Sequence, residues 1–280
     1  MTDEILSLEH FSYIYPQTET LVLDDITLSI KKGTFLGVMG ANRAGKSTLC
    51  TALTGLIPFV LGGQYQGSLR VNGQVINDAN ATSITQTVGI VFQDAESQFS
   101  QETVEDEIAF AMCNMGIPYD EMRRRVTEVS KSCNLTDLLS RSPFSLSGGQ
   151  QQRVAVACIL ALRPQVIILD ETTSQLDPIA RQDVFQIASD LHKAGFTIIM
   201  VDHNIEKLVE YSSDLVVLRE GKLWMQGPCA QVLQQKARLE EAGIRLPQVT
   251  QAAAALMPEE CGNWPITLQE ANTFFQRGNV

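Results

Sequence analysis

Gly40-Ala41-Asn42-Arg43-Ala44-Gly45-Lys46-Ser47 follows the apolar run Phe35 to Met39 and precedes Thr48-Leu49-Cys50-Thr51-Ala52-Leu53. These residues fit G-x-x-x-x-G-K-[ST], in the strand, loop and helix context that the motif requires. Glycines let such a loop wrap closely, so backbone N–H groups and the helix N-terminus face a bound β- and γ-phosphate. Lys46 adds a mobile cation, and the Ser47 hydroxyl is suited to ligate Mg²⁺. A Gly-rich turn that merely precedes Lys-Ser is the bland alternative. From average residue frequencies such a chance match arises in on the order of one chain in a hundred, and the flanking pattern makes it rarer still.

Outward from this loop, short runs apolar on both faces recur at Val88 to Phe92, Val166 to Leu169 and Thr197 to Val201. Strands of that kind, alternating with helices, predict a parallel sheet covered on both sides. Upstream, Ile5 to Leu8 and Leu21-Val22-Leu23 through Ile30 alternate instead, as does Gly67 to Val71 before the Asn72-Gly73 turn signal. These segments predict an antiparallel β-region. Asp214 to Leu218, Arg219-Glu220-Gly221-Lys222 and Leu223 to Met225 read as a closing hairpin. Between Gln93 and Leu146 no strand pattern appears; Val104 to Met112 and Tyr119 to Leu139 carry helical spacing. From about Ala230 the chain is helical and amphipathic, punctuated by Gly243, Pro247 and Pro258.

The chain has 280 residues, 44% hydrophobic and 19% charged, which is a globular balance and not a disordered one. No apolar run approaches the roughly 18–20 residues of a membrane-spanning helix. Met1-Thr2-Asp3-Glu4 is acidic and gives no sign of a signal peptide. Cys50, Cys113, Cys133, Cys158, Cys229 and Cys261 are scattered without a C-x-x-C pair, against a zinc site or a disulfide framework. A formal charge of -11 works against general nucleic-acid binding, which needs Lys and Arg to displace counterions. A local nest of N–H groups can still hold phosphate within an acidic protein.

Val166-Ile167-Ile168-Leu169-Asp170-Glu171 reads as a buried strand ending in two carboxylates. Open α/β sheets bind ligands at the carboxyl ends of their strands. Asp170 is therefore expected to hold Mg²⁺ through water, and Glu171 to orient and polarise an attacking water. The alternative is that acidic strand ends serve as N-caps. Leu146-Ser147-Gly148-Gly149-Gln150 opens a long apolar helix running to Leu162. Its N-terminus suits an anion. A cap needs one Ser, and each glycine in a first turn costs roughly 1 kcal/mol against alanine, so Gly148 and Gly149 call for a reason beyond helix initiation.

With Leu-Ser-Gly-Gly-Gln standing between the two nucleotide motifs, the sequence resembles the ATP-binding cassette (ABC) ATPases over about its first 230 residues. The resemblance implies the P-loop NTPase form of the α/β class: a mostly parallel sheet core, an N-terminal antiparallel β-subdomain and an inserted helical subdomain. The expected boundaries are 1–230 for the ATPase domain, with the helical subdomain at roughly 97–165, and 231–280 for a helical extension. Gly40 through Thr48 would contact ATP. Ser147, Gly148, Gly149 and Gln150 would act on the γ-phosphate of ATP held by a second ATPase subunit, identical or paralogous, in a head-to-tail dimer. Gln93 matches the loop residue that senses Mg²⁺ and the transmembrane partner, making Ser47, Gln93 and Asp170 the metal set. Ser174-Gln175-Leu176-Asp177 matches the loop at the dimer interface, with Ser174 and Asp177 its polar members. His203 matches the switch histidine that holds the γ-phosphate, so Glu171, His203 and Lys46 form the catalytic set. Tyr15, ahead of Pro16, matches the aromatic that stacks on adenine; Tyr13 is the close rival, and a strand-edge aromatic is the bland reading.

Three positions depart from the family pattern. Arg43 stands where Gly is common, so it must tolerate a glycine-like backbone angle. Thr172 replaces the usual Pro, and Gln175 a small residue. None removes a chemical group.

Gln101-Glu102-Thr103-Val104-Glu105-Asp106-Glu107-Ile108-Ala109-Phe110-Ala111 and Gly243 to Gln251 resemble the ATPases of energy-coupling factor (ECF) importers. That resemblance implies a membrane T component, a substrate-capturing S component, a vitamin or transition-metal cargo, and a peripheral place on the cytoplasmic face of the membrane. Bland readings remain: a solvated helix and an ordinary amphipathic tail. An exporter or mechanical ABC ATPase, and a soluble nucleic-acid-linked cassette, are the other classes that the cassette motifs allow.

Overall fold

Alternating apolar and polar residues build an N-terminal ribbon, β1 (Glu4–Ile14) against β2 (Leu21–Lys31), in the computed structural model, which describes residues 3–258 and 262–277. Met1, Thr2 and Cys261 of the sequence reading lie outside the described residues. The ribbon is antiparallel, with Leu8 opposite Leu28 and Tyr13 opposite Leu23. Along β2 the period of two buries Ile26, Leu28 and Ile30, and Leu23 is buried beyond a register shift at the left-handed Asp25 (φ 54). β3 (Phe35–Gly40) is apolar throughout and leads through the glycine-rich loop into α1 (Lys46–Leu53). After the single turn α2 (Leu56–Phe59), β4 (Gln64–Val71) returns antiparallel to β1 and reverses at Asn72-Gly73 into β5 (Gln74–Val75). β5 is two residues long, too short to carry a readable period. The sheet order is β2-β1-β4-β5.

The chain divides into two units, 1–76 with 199–280, and 77–198. The second unit opens with β6 (Val88–Val91) and α3 (Val104–Asn114). Thr103 caps α3 by accepting from the Asp106 N–H, and Glu105, Asp106 and Glu107 in the first turn face its positive end. Glu107 is buried and its carboxylate accepts from the N–H groups of Ser100 and Gln101, both at 2.8 Å. The charged run is thus more than a solvated face, because one of its acids pins the preceding loop.

α4 (Tyr119–Ser132) is shorter than the helix expected up to Leu139. Asn134 adopts φ 54, the Leu135 N–H bonds the Ser130 carbonyl and the Asn134 N–H bonds that of Lys131. This is a Schellman stop with Asn in the usual glycine place, and Thr136–Leu138 then form only a 3₁₀ turn. α5 (Gly148–Ala161), β7 (Val166–Asp170) and α6 (Pro178–Lys193) complete the unit. β6 and β7 run parallel, Val88 opposite Val166 and Val91 opposite Leu169, and every residue of β7 is buried. That is the two-sided burial which the unbroken apolar run predicts.

β8 (Thr197–Val201) returns the chain to the first unit, where α7 (Ile205–Tyr211), β9 (Asp214–Arg219) and β10 (Lys222–Pro228) follow. β3 and β9 are parallel, with Val38 opposite Val216. β9 and β10 form the expected hairpin, and both Glu220 (φ 51) and Gly221 (φ 79) are left-handed at its tip. Two such residues match the type I′ geometry that suits strand twist. Parallel pairing beside a separate antiparallel sheet realises the α/β class.

The C-terminal residues group with this first unit as α8 (Cys229–Leu233), α9 (Lys236–Glu241), α10 (Gln248–Leu256) and α11 (Leu268–Arg277). The Trp224 ring lies under the guanidinium groups of Arg219 and Arg238, at 4.8 and 5.2 Å. Its indole N–H donates to the Arg238 carbonyl, and Arg238 donates back to the Trp224 carbonyl. Gly243 (φ 72) sits against the glycine-rich loop, since a Cβ there would lie 3.4 Å from the Cβ of Ala41. The Gln248 N–H at the start of α10 donates to Glu206 of α7. Among the described residues no helix is long and apolar enough to cross a membrane.

Candidate functional site

In the first unit, backbone geometry shapes the loop from Gly40 to Ser47. A Cβ on Gly40 would stand 2.6 Å from the Leu218 carbonyl oxygen, so β9 leaves no room for a side chain there. Gly45 has φ 99, and a Cβ on it would lie 3.0 Å from the Val22 carbonyl. Arg43 adopts φ 65 and is exposed, so it takes the glycine-like angle expected of it and turns outward. The Gly221 N–H donates to the Ala44 carbonyl, fastening the hairpin tip to the loop.

α1 begins at Lys46, and no side chain among the described residues caps its N-terminus. A helix start dressed only by backbone N–H groups is a ready site for phosphate oxygens. Lys46 is buried, and its ammonium donates to the carbonyls of Gly40 and Ala41, each at 3.2 Å. Ser47 is exposed at the head of the helix, while Asn42 and Ala41 are exposed in the loop.

The structure separates the two tyrosines. Tyr13 is fully buried and donates its hydroxyl to the Gly62 carbonyl at 2.6 Å. Tyr15 is half-buried, and its hydroxyl shares a hydrogen bond with Thr48 Oγ1 at 3.2 Å. Of the two, Tyr15 is the one that keeps exposed surface. After β8, Asp202 is buried and accepts from the Asn204 N–H at 2.7 Å, and Asn204 caps α7 through the Lys207 N–H. This Asx turn lifts the intervening His203 into the exposed position.

In the second unit β7 delivers Asp170 buried, and Glu171 follows at φ 52. A non-glycine residue in the left-handed region is strained by roughly 1–3 kcal/mol, a feature that gathers at functional positions. Gln93, exposed after β6, donates its side-chain amide to Ser174 Oγ at 3.1 Å. Its carbonyl accepts from Gln152 Nε2 on α5 at 2.9 Å. Gln93, the loop after Glu171 and the glycine-led helix are therefore tied together, through a residue, Gln152, that the motifs did not single out. Asp177 caps α6, accepting from Ile179 and Ala180, with Pro178 at the first helical position.

Ser147 and Gln150 form a reciprocal capping box at the start of α5: Gln150 Oε1 accepts from the Ser147 N–H, and Ser147 Oγ accepts from the Gln150 N–H. The two glycines differ. A Cβ on Gly149 would stand 2.6 Å from Ala180 Cβ, so close packing on α6 explains its absence. A Cβ on Gly148 would meet only Leu176 Cδ2 at an ordinary 3.5 Å, and Gly148 is exposed. Packing therefore accounts for Gly149 but not for Gly148.

Thr172, where the family usually has Pro, is buried, and its hydroxyl has no hydrogen-bond partner among the described residues. An orphaned buried hydroxyl costs about 1–3 kcal/mol. Thr172→Val is expected to raise the unfolding free energy by about 1 kcal/mol, read from the urea midpoint. A drop in stability would show that the hydroxyl is satisfied in solution.

A model of the ABC transporter family matches residues 23–174. The chain is 39% identical over 244 residues to a putative ABC transporter ATP-binding protein of Pyrococcus abyssi, covering 87% of each. It is 38% identical over 244 residues to the energy-coupling factor transporter ATP-binding protein EcfA2 of Acetivibrio thermocellus, covering 85% of each. Among solved structures it resembles cbiO1 from Clostridium perfringens, part of the ABC transporter complex cbiONQ, with a TM-score of 0.76 and 30% identity, covering 92% of this chain and 97% of that one. The chain belongs to the ABC transporter family and is an ATP-binding ATPase. Within that family it is an ATPase subunit of an importer of the energy-coupling factor type.

Proposed function

We propose that the chain binds Mg-ATP and hydrolyses it in a head-to-tail dimer with a second cassette, the same or a paralogue. It would sit peripherally on the cytoplasmic face of the membrane and drive a T component whose S component captures a vitamin or a transition-metal ion. The cassette would span 1–230, with its helical subdomain at roughly 97–165, and 231–280 would be its extension. The observation that carries the dimer is Gly148: exposed at the first position of α5, with no neighbour that forbids a side chain. Its bare N–H, beside Ser147, is suited to a γ-phosphate brought by another subunit.

The residues fit the ligands. Gly40 to Thr48 would cradle the phosphates, Lys46 would neutralise them, and Tyr15 would stack on adenine. Ser47, Gln93 and Asp170 would hold Mg²⁺, an oxygen-donor set of the kind this ion takes alongside phosphate oxygens; the ion supplies charge neutralisation on the triphosphate. Glu171 would orient a water and accept its proton, and His203 would donate a hydrogen bond to the γ-phosphate. Moving such a dimer from 1:99 to 99:1 closed takes about 5.5 kcal/mol of differential binding, or about 3 for each of two shared nucleotides.

Complementation tests this. Lys46→Ala and Gly148→Asp chains should each be inactive alone. Mixed, they should recover about a quarter of native ATPase activity, since half the dimers would carry one intact composite site. No recovery, with mixed dimers shown to form, would sink the composite-site reading. Co-purification of a membrane T component with the tagged chain tests the importer assignment.

A further inference from the structure

Tyr13 has a place in the structure that the adenine-stacking reading does not use. Tyr13 lies near the end of β1 and Tyr15 follows just past it, and their rings meet edge to face, centroids 5.0 Å apart and planes at 81°. The Tyr13 hydroxyl is committed to the Gly62 carbonyl at 2.6 Å. Gly62 and Gly63 are both left-handed, φ 69 and 108. A Cβ on Gly63 would stand 2.6 Å from the Tyr13 oxygen, 2.7 Å from its ring carbon Cε2 and 2.6 Å from the Ile14 carbonyl. The glycine pair therefore closes tightly over Tyr13, and a Cβ on Gly62 would reach Pro16, the residue after Tyr15, at 4.0 Å. Tyr15 is held at its far end as well, through Thr48 on the helix that leaves the phosphate loop.

We propose that Tyr13 is a positioning residue for nucleotide-base binding, clamping the Gly62-Gly63 loop and thereby setting the tilt of the Tyr15 ring. The inference rests on the reading that Tyr15 stacks on adenine. An edge-to-face partner fixes one ring orientation, so the half-buried Tyr15 ring is held ready for stacking and the base orders one side chain fewer on binding. Losing the anchor of the clamp leaves the phosphate contacts intact and weakens only the contribution of the base.

Tyr13→Phe keeps the ring and removes the anchor. It should raise KM for ATP about threefold to tenfold with kcat unchanged, the pattern of lost uniform binding. The inhibition constant of inorganic tripolyphosphate, which meets only the phosphate loop, should stay at its native value. A merely structural defect moves both together, and that outcome would overturn the proposal. Tyr15→Ala is the companion variant. If it raises KM for ATP while Tyr13→Phe does not, stacking by Tyr15 stands and the clamp is wrong. If neither variant shifts KM for ATP, the stacking reading falls and the clamp falls with it.

Discussion

Glu171→Gln is expected to bind ATP as the native chain does, to accumulate as a closed dimer and to turn over about 10²- to 10⁴-fold more slowly. The amide has the shape of the carboxylate and can still hold a water, but it cannot take up that water's proton. Nor does it disturb the strained backbone: Glu171 sits at φ 52, and Gln meets the same left-handed geometry with a side chain of the same size. Phosphate release measures the turnover, and light scattering with ATP and magnesium measures the dimer. Undiminished phosphate release would remove Glu171 from its assigned role. A slow variant that stays monomeric would leave the role standing and break the link between nucleotide and closure.

Lys46→Ala should act one step earlier, by weakening ATP binding itself. The ammonium is buried and holds two loop carbonyls, those of Gly40 and Ala41. A charged donor poised there exchanges carbonyl oxygens for phosphate oxygens when the triphosphate arrives. Hydrogen bonds to charged groups contribute about 1.5–3 kcal/mol each, so its removal should weaken nucleotide binding by about 10- to 100-fold. A fluorescent ATP analogue titrated into both proteins gives the comparison. Binding within a factor of about two of native would be less than one such hydrogen bond and would contradict the assignment. The pair separates the two carboxyl and ammonium roles cleanly: one variant holds nucleotide without cleaving it, the other fails to hold it.

Features that rest on local chemistry were readable from the sequence. The loop from Gly40 to Ser47, the all-apolar β7 ending in Asp170, and the β9–β10 hairpin with its left-handed tip all follow from short-range rules, and the structure has them. Most of what escaped depends on neighbours distant in sequence, the end of α4 being the local exception. Helical periodicity continued past Ser132, but Asn134 ended α4 by turning left-handed, a place that glycine would have advertised. Preferring Tyr15 to Tyr13 rests on burial, because both aromatics stand just ahead of Pro16 and the sequence does not say which is enclosed. The Gly149 signal was real, yet its cause includes Ala180 from another helix. Glu107 looked like one charge among several until its carboxylate was found beneath Ser100 and Gln101. Nothing in the order of residues announces that the Thr172 hydroxyl is sealed from any acceptor, or that Gln152 reaches the Gln93 carbonyl.

The neighbourly fit of Ala41 and Gly243 carries an evolutionary corollary. With 3.4 Å between the methyl group of one and the missing methyl of the other, a methyl at 243 would make an ordinary contact with Ala41. The positive φ at Gly243 narrows which substitutes are acceptable. The two positions are neighbours in space despite lying far apart in the chain. Descendants of this sequence should keep at 243 glycine, or a residue such as Asn that tolerates the left-handed region, and a cassette grafted onto a foreign tail would lose the contact with Ala41.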